Sequence, residues 1–157
     1  MRAIFPGSFN PITLGHLDII QRVQGLCEQL IVVVSGSRAE LDIAKRLDLV
    51  HAACQAFDHV QVVAHSGLLV QVAQDLGANM IIRGVRSSSD MGYEHNMANM
   101  NRSLGEGMET ILLPTSHTVG HISASLVRQI IGAGGDAAPF LPGIVWQRIQ
   151  DNHYYGA

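Results

Sequence analysis

Short runs of β-branched residues alternate along this chain with longer stretches of helical periodicity, and that alternation limits the fold more than any other feature. Leu30–Val34 (LIVVV) is continuously apolar, the pattern of a strand covered on both faces. Ala3–Phe5, Val60–Ala64, Met80–Ile82 and Thr110–Leu113 read as four more strands. Between them Gly15–Glu28 places Leu17, Ile19, Ile20, Val23 and Leu26 at helical spacing. Leu41–Phe57, Leu68–Leu76, Asp90–Leu104 and Ser123–Ile131 read as helices too, and a short one follows Pro142. Strands joined by helical crossovers run parallel and right-handed, so the expected fold is α/β, a doubly wound five-stranded parallel sheet of Rossmann-like form. Ligands of such sheets lie beyond the carboxyl ends of the strands. One rim is therefore expected to gather Pro6–His16, Ser35–Arg38, Ser66–Gly67, Arg83–Asp90 and Pro114–Ser125.

A chain of 157 residues is enough for one domain, expected to span 1–157. At 47% hydrophobic and 15% charged residues it can fill a core with apolar side chains to spare for a subunit contact. A net charge of -3 speaks against a nucleic-acid partner, which needs a basic face. No apolar run approaches the ~20 residues of a membrane helix, and Arg2 leads into a strand-like run rather than a leader, so no membrane partner and a cytoplasmic location are expected. Cys27 and Cys54 stand in apolar helical stretches and read as buried reduced thiols.

The first rim loop runs Pro6-Gly7-Ser8-Phe9-Asn10-Pro11-Ile12-Thr13-Leu14-Gly15-His16. Gly7 and Gly15 let backbone approach a ligand, and Gly15 stands where a helix N-terminus favours an anion. His16, in the first helical turn, can donate a hydrogen bond to a phosphate oxygen as charge grows in a transition state, or can serve simply as a cap. Arg83 and Arg86 flank a glycine at the end of the fourth strand and can grip two phosphate groups from one loop. Thr118, Ser123 and Ser125 crowd a loop-to-helix junction whose hydroxyls and amides suit a triphosphate, with Ser123 also an N-cap candidate. His117 and His121 have HxxxH spacing, but Gly120 between them argues against the helix a metal pair needs, and no metal site is expected.

These residues resemble a known family. Thr13-Leu14-Gly15-His16 has the TxGH form of the nucleotidyltransferase signature, and Ile122–Arg128 (ISASLVR) resembles its second signature, ISSTxxR. The first loop and the run IIRGVRSSSDMGYEHNMANMNRSL are similar to the corresponding blocks of phosphopantetheine adenylyltransferases, and the likeness extends from Ala3 to about Pro142. The resemblance implies a nucleotidyltransferase fold and transfer of AMP from ATP to the phosphate of phosphopantetheine, with magnesium accompanying ATP and a homohexameric assembly. It implies His16 as the catalytic group, Ser8, Leu69 and Arg83 as acceptor-binding residues, and Ser8, Phe9, His16, Gly84, Val85, Arg86, Glu94 and Val119, Gly120, His121, Ile122, Ser123, Ala124 and Ser125 as ATP-binding residues.

Three departures accompany the resemblance. Asn10 stands where the family has aspartate. The loop Ser35–Asp42 is about three residues shorter and lacks the family's acceptor-binding lysine, leaving Arg38 or Lys45 to replace it. Gly67 stands where relatives carry an acidic residue. Other acceptors within the superfamily, and a nucleotide sensor without turnover, are the competing readings.

Overall fold

The computed structural model describes residues 1–36 and 39–157. Strands β1 (Arg2–Gly7), β2 (Gln29–Ser35), β3 (Val60–His65), β4 (Met80–Val85) and β5 (Glu109–Pro114) alternate with helices α1 (Leu14–Val23), α2 (Ile43–Cys54), α3 (Leu69–Asp75), α4 (Ser88–Leu104) and α5 (Ala124–Gly132), and α6 (Gly143–Asp151) follows. The strands form one parallel sheet in the order β3-β2-β1-β4-β5.

The period of two in each strand divides the core. Ala3, Phe5, Val32, Val34 and Ile82 face one layer, where they meet Ile19, Ile20 and Val23 of α1, Leu49 and Val50 of α2, Val127 and Ile131 of α5, and Val145 and Ile149 of α6. Ile4, Ile31, Val33 and Ile81 face the other, against Val70, Val72 and Ala73 of α3 and Met108. β1 and β2 are thereby sealed on both sides, which is why LIVVV carries no polar residue.

Local chemistry shifts several boundaries from the sequence reading. The helix expected over Gly15–Glu28 stops at Val23, because Gln24–Leu26 turn away and leave Leu26 47% exposed rather than packed. Gly25 weakens any further turn. α2 begins at Ile43, since Asp42 is its cap and accepts from the Lys45 amide at 2.9 Å. α4 begins two residues before Asp90 because the Ser87 hydroxyl accepts from the Asp90 amide.

The sheet order reverses direction between β1 and β4, and there the pairing thins. β1 matches β2 over six residues but β4 over only two, Ala3 with Met80 and Ile4 with Ile81. Beyond Ile4 the two strands splay, and the crevice between their carboxyl ends is the position that a doubly wound sheet leaves for a ligand.

Candidate active site

The crevice holds a cavity of about 400 Å³. Its wall is built from β1 and its loop (Pro6, Gly7, Ser8), the start of α1 (Thr13, Gly15, His16), the β4 loop (Arg83, Gly84, Arg86), Asp90 and Glu94 of α4, and Ile122–Ser125 with Arg128 of α5. Residues far apart in sequence thus converge because each follows the carboxyl end of a strand. A second cavity of about 310 Å³ shares Pro6 with the first and runs under Ser35, Gly36, His65–Gly67, Leu69 and Val72. A hollow of about 570 Å³ lies elsewhere, against Val60–Val62 at the amino end of β3 and Arg148 of α6, and has none of these loops.

His16 sits at the centre of the first cavity. Thr13 caps α1, its hydroxyl accepting from the His16 amide, and the Thr13 amide donates back to His16 Nδ1 at 3.0 Å. That bond makes Nδ1 an acceptor, so the neutral ring carries its proton on Nε2. Phe9 packs edge-on against the imidazole at 5.0 Å and Phe5 lies at 6.4 Å. Burial first, then the nearby guanidinium groups of Arg86 and Arg83, push the His16 pKa down to about 4. The group is therefore a neutral hydrogen-bond donor at neutral pH. Because the folded value lies below the unfolded 6.5, its contribution to stability is complete above 6.5 and is lost as pH falls toward 4. Proton titration of the ligand-free protein by NMR is expected to show the His16 inflection near 4, and an inflection at 6.5 would contradict this environment.

Phe9 reaches its place at a backbone cost. It is 1% exposed, and its φ of 45° is a left-handed conformation that a bulky residue rarely adopts. The cost, about 1–2 kcal/mol, is offset by burying the ring beneath His16 and beside Phe5. Its ring also lies only 3.1 Å from where a Cβ at Gly7 would stand, so residue 7 has room for glycine alone without movement.

The arginines are fixed before any ligand arrives. Arg83 makes a two-pronged pair with Glu94, Nε to Oε2 at 2.8 Å and Nη2 to Oε1 at 2.6 Å, while Nη1 donates to the Pro6 carbonyl at 2.8 Å. This last bond crosses the splay between β1 and β4, where ladder hydrogen bonds have ended. Arg86 pairs with Asp90 at 3.3 Å and donates to the Ile122 carbonyl. Arg46, 1% exposed, donates to the carbonyls of Ser8, Ser35 and Leu41, which clamps the first loop to the loop after β2. On the far side Asp18 accepts from the Ser116 amide and hydroxyl at 3.0 and 2.6 Å and from Arg22. Burial alone would raise its pKa, but the Ser116 and Arg22 bonds prevail and hold it low.

The expected site residues fall into three groups. Ser8, His16, Arg83, Gly84, Arg86, Glu94, Ile122, Ser123, Ala124 and Ser125 line the first cavity, and Leu69 lines the second. Phe9 and Val85 lie beneath the surface, 1% and 4% exposed, and support the wall from behind. Val119, Gly120 and His121 belong to the turn that leads into α5 and do not line the cavity, although the Val119 carbonyl lies beside Gly15. His117–His121 form a turn, so HxxxH does not place two rings on a helix face. Among the described residues no cluster of three His, Cys, Asp or Glu could hold a metal ion. Ser123 does cap α5, accepting from the Leu126 amide, and lines the cavity as well.

Sequence reasoning did not assign Thr13, Asp90, Arg128 or Arg46 to the site. Arg128 is the arginine of ISASLVR and was within reach of the motif, whereas nothing in the sequence marks the inward turn of Arg46. Lys45 lines neither cavity; its ammonium pairs with Asp42 at 3.2 Å and stands 5.7 Å over the Tyr154 ring. Arg38 lies outside the described residues. Gly67 has φ +128°, a conformation strained for any side chain, so an acidic residue there would need a different loop.

Residues 4–130 match the cytidylyltransferase-like family. The chain is 42% identical over 146 residues to the phosphopantetheine adenylyltransferase of Methylococcus capsulatus, covering 91% of this chain and 90% of that protein. It is 41% identical over 152 residues to the phosphopantetheine adenylyltransferase of Caldanaerobacter subterraneus, covering 95% of each. A solved structure from Vibrio parahaemolyticus, assigned there as a nicotinate-nucleotide adenylyltransferase, superposes with a TM-score of 0.78 over 99% of this chain and 94% of that one. At 18% identity that likeness concerns the fold. With near-complete coverage at about two-fifths identity, and with the TxGH and ISASLVR segments brought to one cavity, the chain belongs to the phosphopantetheine adenylyltransferases of the cytidylyltransferase-like family.

Proposed function

We propose that the chain transfers AMP from ATP to 4'-phosphopantetheine, giving dephospho-coenzyme A and pyrophosphate, a step of coenzyme A biosynthesis. The observation that carries this reading is the pair of cavities that meet at Pro6. The first is lined by His16, Arg83, Arg86, Ser123 and Ser125, and the second passes from Pro6 to Leu69 and Val72. A nucleotide triphosphate fits the polar cavity and an extended, partly apolar pantetheine arm fits the narrower one.

An oxygen of the acceptor phosphate attacks the α-phosphorus of ATP. A new P–O bond forms, the bond from the α-phosphorus to the α,β-bridging oxygen breaks, and the electron pair leaves with pyrophosphate. The cavity contains no cysteine and no Ser–His–Asp arrangement, so the chain's work is to position two phosphates and to stabilise charge. His16 Nε2–H donates to the α-phosphate as negative charge builds. Arg83, held by Glu94 and Pro6, binds the acceptor phosphate near Ser8. Arg86, the amides around Gly84 and the Ser123–Ser125 segment at the start of α5 hold the nucleotide, and Glu94, on the same cavity wall, orients Arg83. Phe9 and Val85 support these residues from beneath, and the Val119–His121 turn sets the start of α5 beside Gly15.

Magnesium would accompany ATP and offset the triphosphate charge; among the described residues no cluster of three His, Cys, Asp or Glu could hold it apart from the nucleotide. A homohexamer would cover Met91, Tyr93, Met100 and Leu104, which stand 42–63% exposed along α4. Cytoplasmic placement agrees with two free cysteines; burial pushes the Cys54 thiol up to about 11. No helix among the described residues is long and apolar enough to cross a membrane.

Pyrophosphate release from ATP and magnesium tests the reading. Release is expected only when phosphopantetheine is present. ATP binding without release in its presence would turn the assignment toward a nucleotide sensor, and release with a different acceptor would reassign the second cavity.

A further inference from the structure

Four residues from four distant parts of the chain meet behind the first loop. Tyr155, in the turn that follows α6, donates its hydroxyl to Asn10 Oδ1 at 2.6 Å. The Asn10 Nδ2 donates to Glu40 Oε2 at 2.5 Å, and since a carboxylate only accepts, this contact sets which way the amide is turned. The other Glu40 oxygen accepts from Arg128 Nε at 3.3 Å, and Arg128 Nη1 donates to the Asn10 carbonyl at 2.7 Å. Every polar atom of the Asn10 amide is thereby used, which Asn10 requires at 4% exposure.

The order of the contacts matters. Arg128 is the member that lines the nucleotide cavity. Its carboxylate partner, Glu40, keeps 61% of its side chain exposed, and an ion pair that open holds little by itself. Asn10 supplies the buried anchor for Glu40, and Asn10 is itself ambiguous, because an amide can turn over and exchange its donor and acceptor ends. The Glu40 carboxylate can only accept, so it takes Nδ2, and the Tyr155 hydroxyl donates to the Oδ1 left on the other side, which holds the amide from both ends. Burial raises the pKa of that hydroxyl, so it keeps its proton across the working pH range. The tail is held for this contact at a cost: His153 and Tyr155 both have left-handed backbone, with φ of 53° and 57°. His153 Nδ1 and the Ala157 carbonyl, 2.9 Å apart, tie the turn together.

We infer that Tyr155 is a positioning residue of the nucleotide site, acting from the C-terminal turn through Asn10 and Glu40 to hold the Arg128 guanidinium at the cavity wall. The inference rests on the reading of that cavity as the ATP site. Asn10, which departs from the family's aspartate, becomes part of a matched pair with Glu40: one carboxylate serves Arg128, and it is carried on residue 40.

The test is the affinity for magnesium-ATP without acceptor, measured by calorimetry on the full chain, with thermal stability read in parallel. Tyr155→Phe removes one hydroxyl and is expected to weaken ATP binding by about 3- to 10-fold, with Tm lowered by about 2–6 °C for the unpartnered Asn10 oxygen. Asn10→Asp sets a second carboxylate against Glu40 and is expected to weaken binding at least as much. The double variant Asn10→Asp/Glu40→Gln restores a single carboxylate and is expected to return to within about threefold of the parent. A merely structural role would lower Tm in Tyr155→Phe and leave affinity unchanged, which overturns the inference. Losses in the double variant that equal or exceed those of Asn10→Asp overturn the pairing. If the parent chain binds no ATP, the reading of the cavity fails first and the inference with it, whereas tight binding by both parent and Tyr155→Phe overturns the inference alone.

Discussion

Replacing His16 with alanine is expected to lower turnover by about 100- to 1000-fold while ATP affinity stays within about threefold. The imidazole is neutral, with its Nδ1 occupied by the Thr13 amide, so Nε2–H is the one donor it can offer to the α-phosphate. That bond gains most when charge accumulates in the transition state, which is why kcat and not binding should fall. The substitution also leaves the Thr13 amide without its partner at the start of α1, for a loss of about 1 kcal/mol in stability. Comparing kcat with the ATP dissociation constant on folded protein separates the two. Matching losses in kcat and affinity would make His16 a binding residue.

Arg83→Ala should have the second-largest effect, and it should appear twice. The acceptor phosphate loses its guanidinium, so the acceptor KM should rise at least about tenfold, with the ATP KM changed much less. Glu94 is left as a carboxylate 7% exposed with both of its hydrogen bonds gone, and breaking such a pair costs about 3–5 kcal/mol. In a chain of this length that lowers Tm by roughly 6–20 °C. The double variant Arg83→Ala/Glu94→Gln should recover much of the stability and none of the acceptor affinity. A double variant that regains acceptor binding, or a single variant whose ATP KM rises more than its acceptor KM, would assign Arg83 to the nucleotide.

The parts of this molecule that follow local rules were legible in its sequence. Strand identity came from β-branched runs such as Leu30–Val34, and the rim loops came from topology once the strands were placed. The convergence of His16, Arg83 and Ser123 on one cavity was legible because each follows the carboxyl end of a strand. What was not legible depends on distance in sequence. Glu94 lines the first cavity, but its pairing with Arg83, eleven residues away, needs the angle between β4 and α4. Arg46 is buried and donates to the carbonyls of Ser8 in the first loop and of Ser35 and Leu41 at the two ends of the loop after β2, a convergence that no local pattern marks. The left-handed backbone of Phe9 has no signature in composition or periodicity. Tyr155 reaches Asn10 across 145 residues, in a turn that the sequence reading did not place at all.

Ser35, Gly36 and Gly67 line the second cavity, which the proposed function gives to the acceptor. The most direct test is therefore to follow the acceptor's own oxygen atoms. Phosphopantetheine carrying heavy oxygen in its phosphate, incubated with the protein, magnesium and unlabelled ATP, is expected to yield dephospho-coenzyme A that retains all of that label, including the atom bridging the two phosphorus centres. AMP and pyrophosphate alongside unchanged phosphopantetheine would contradict the account, because the α-phosphate would then have been attacked by water and not by the acceptor.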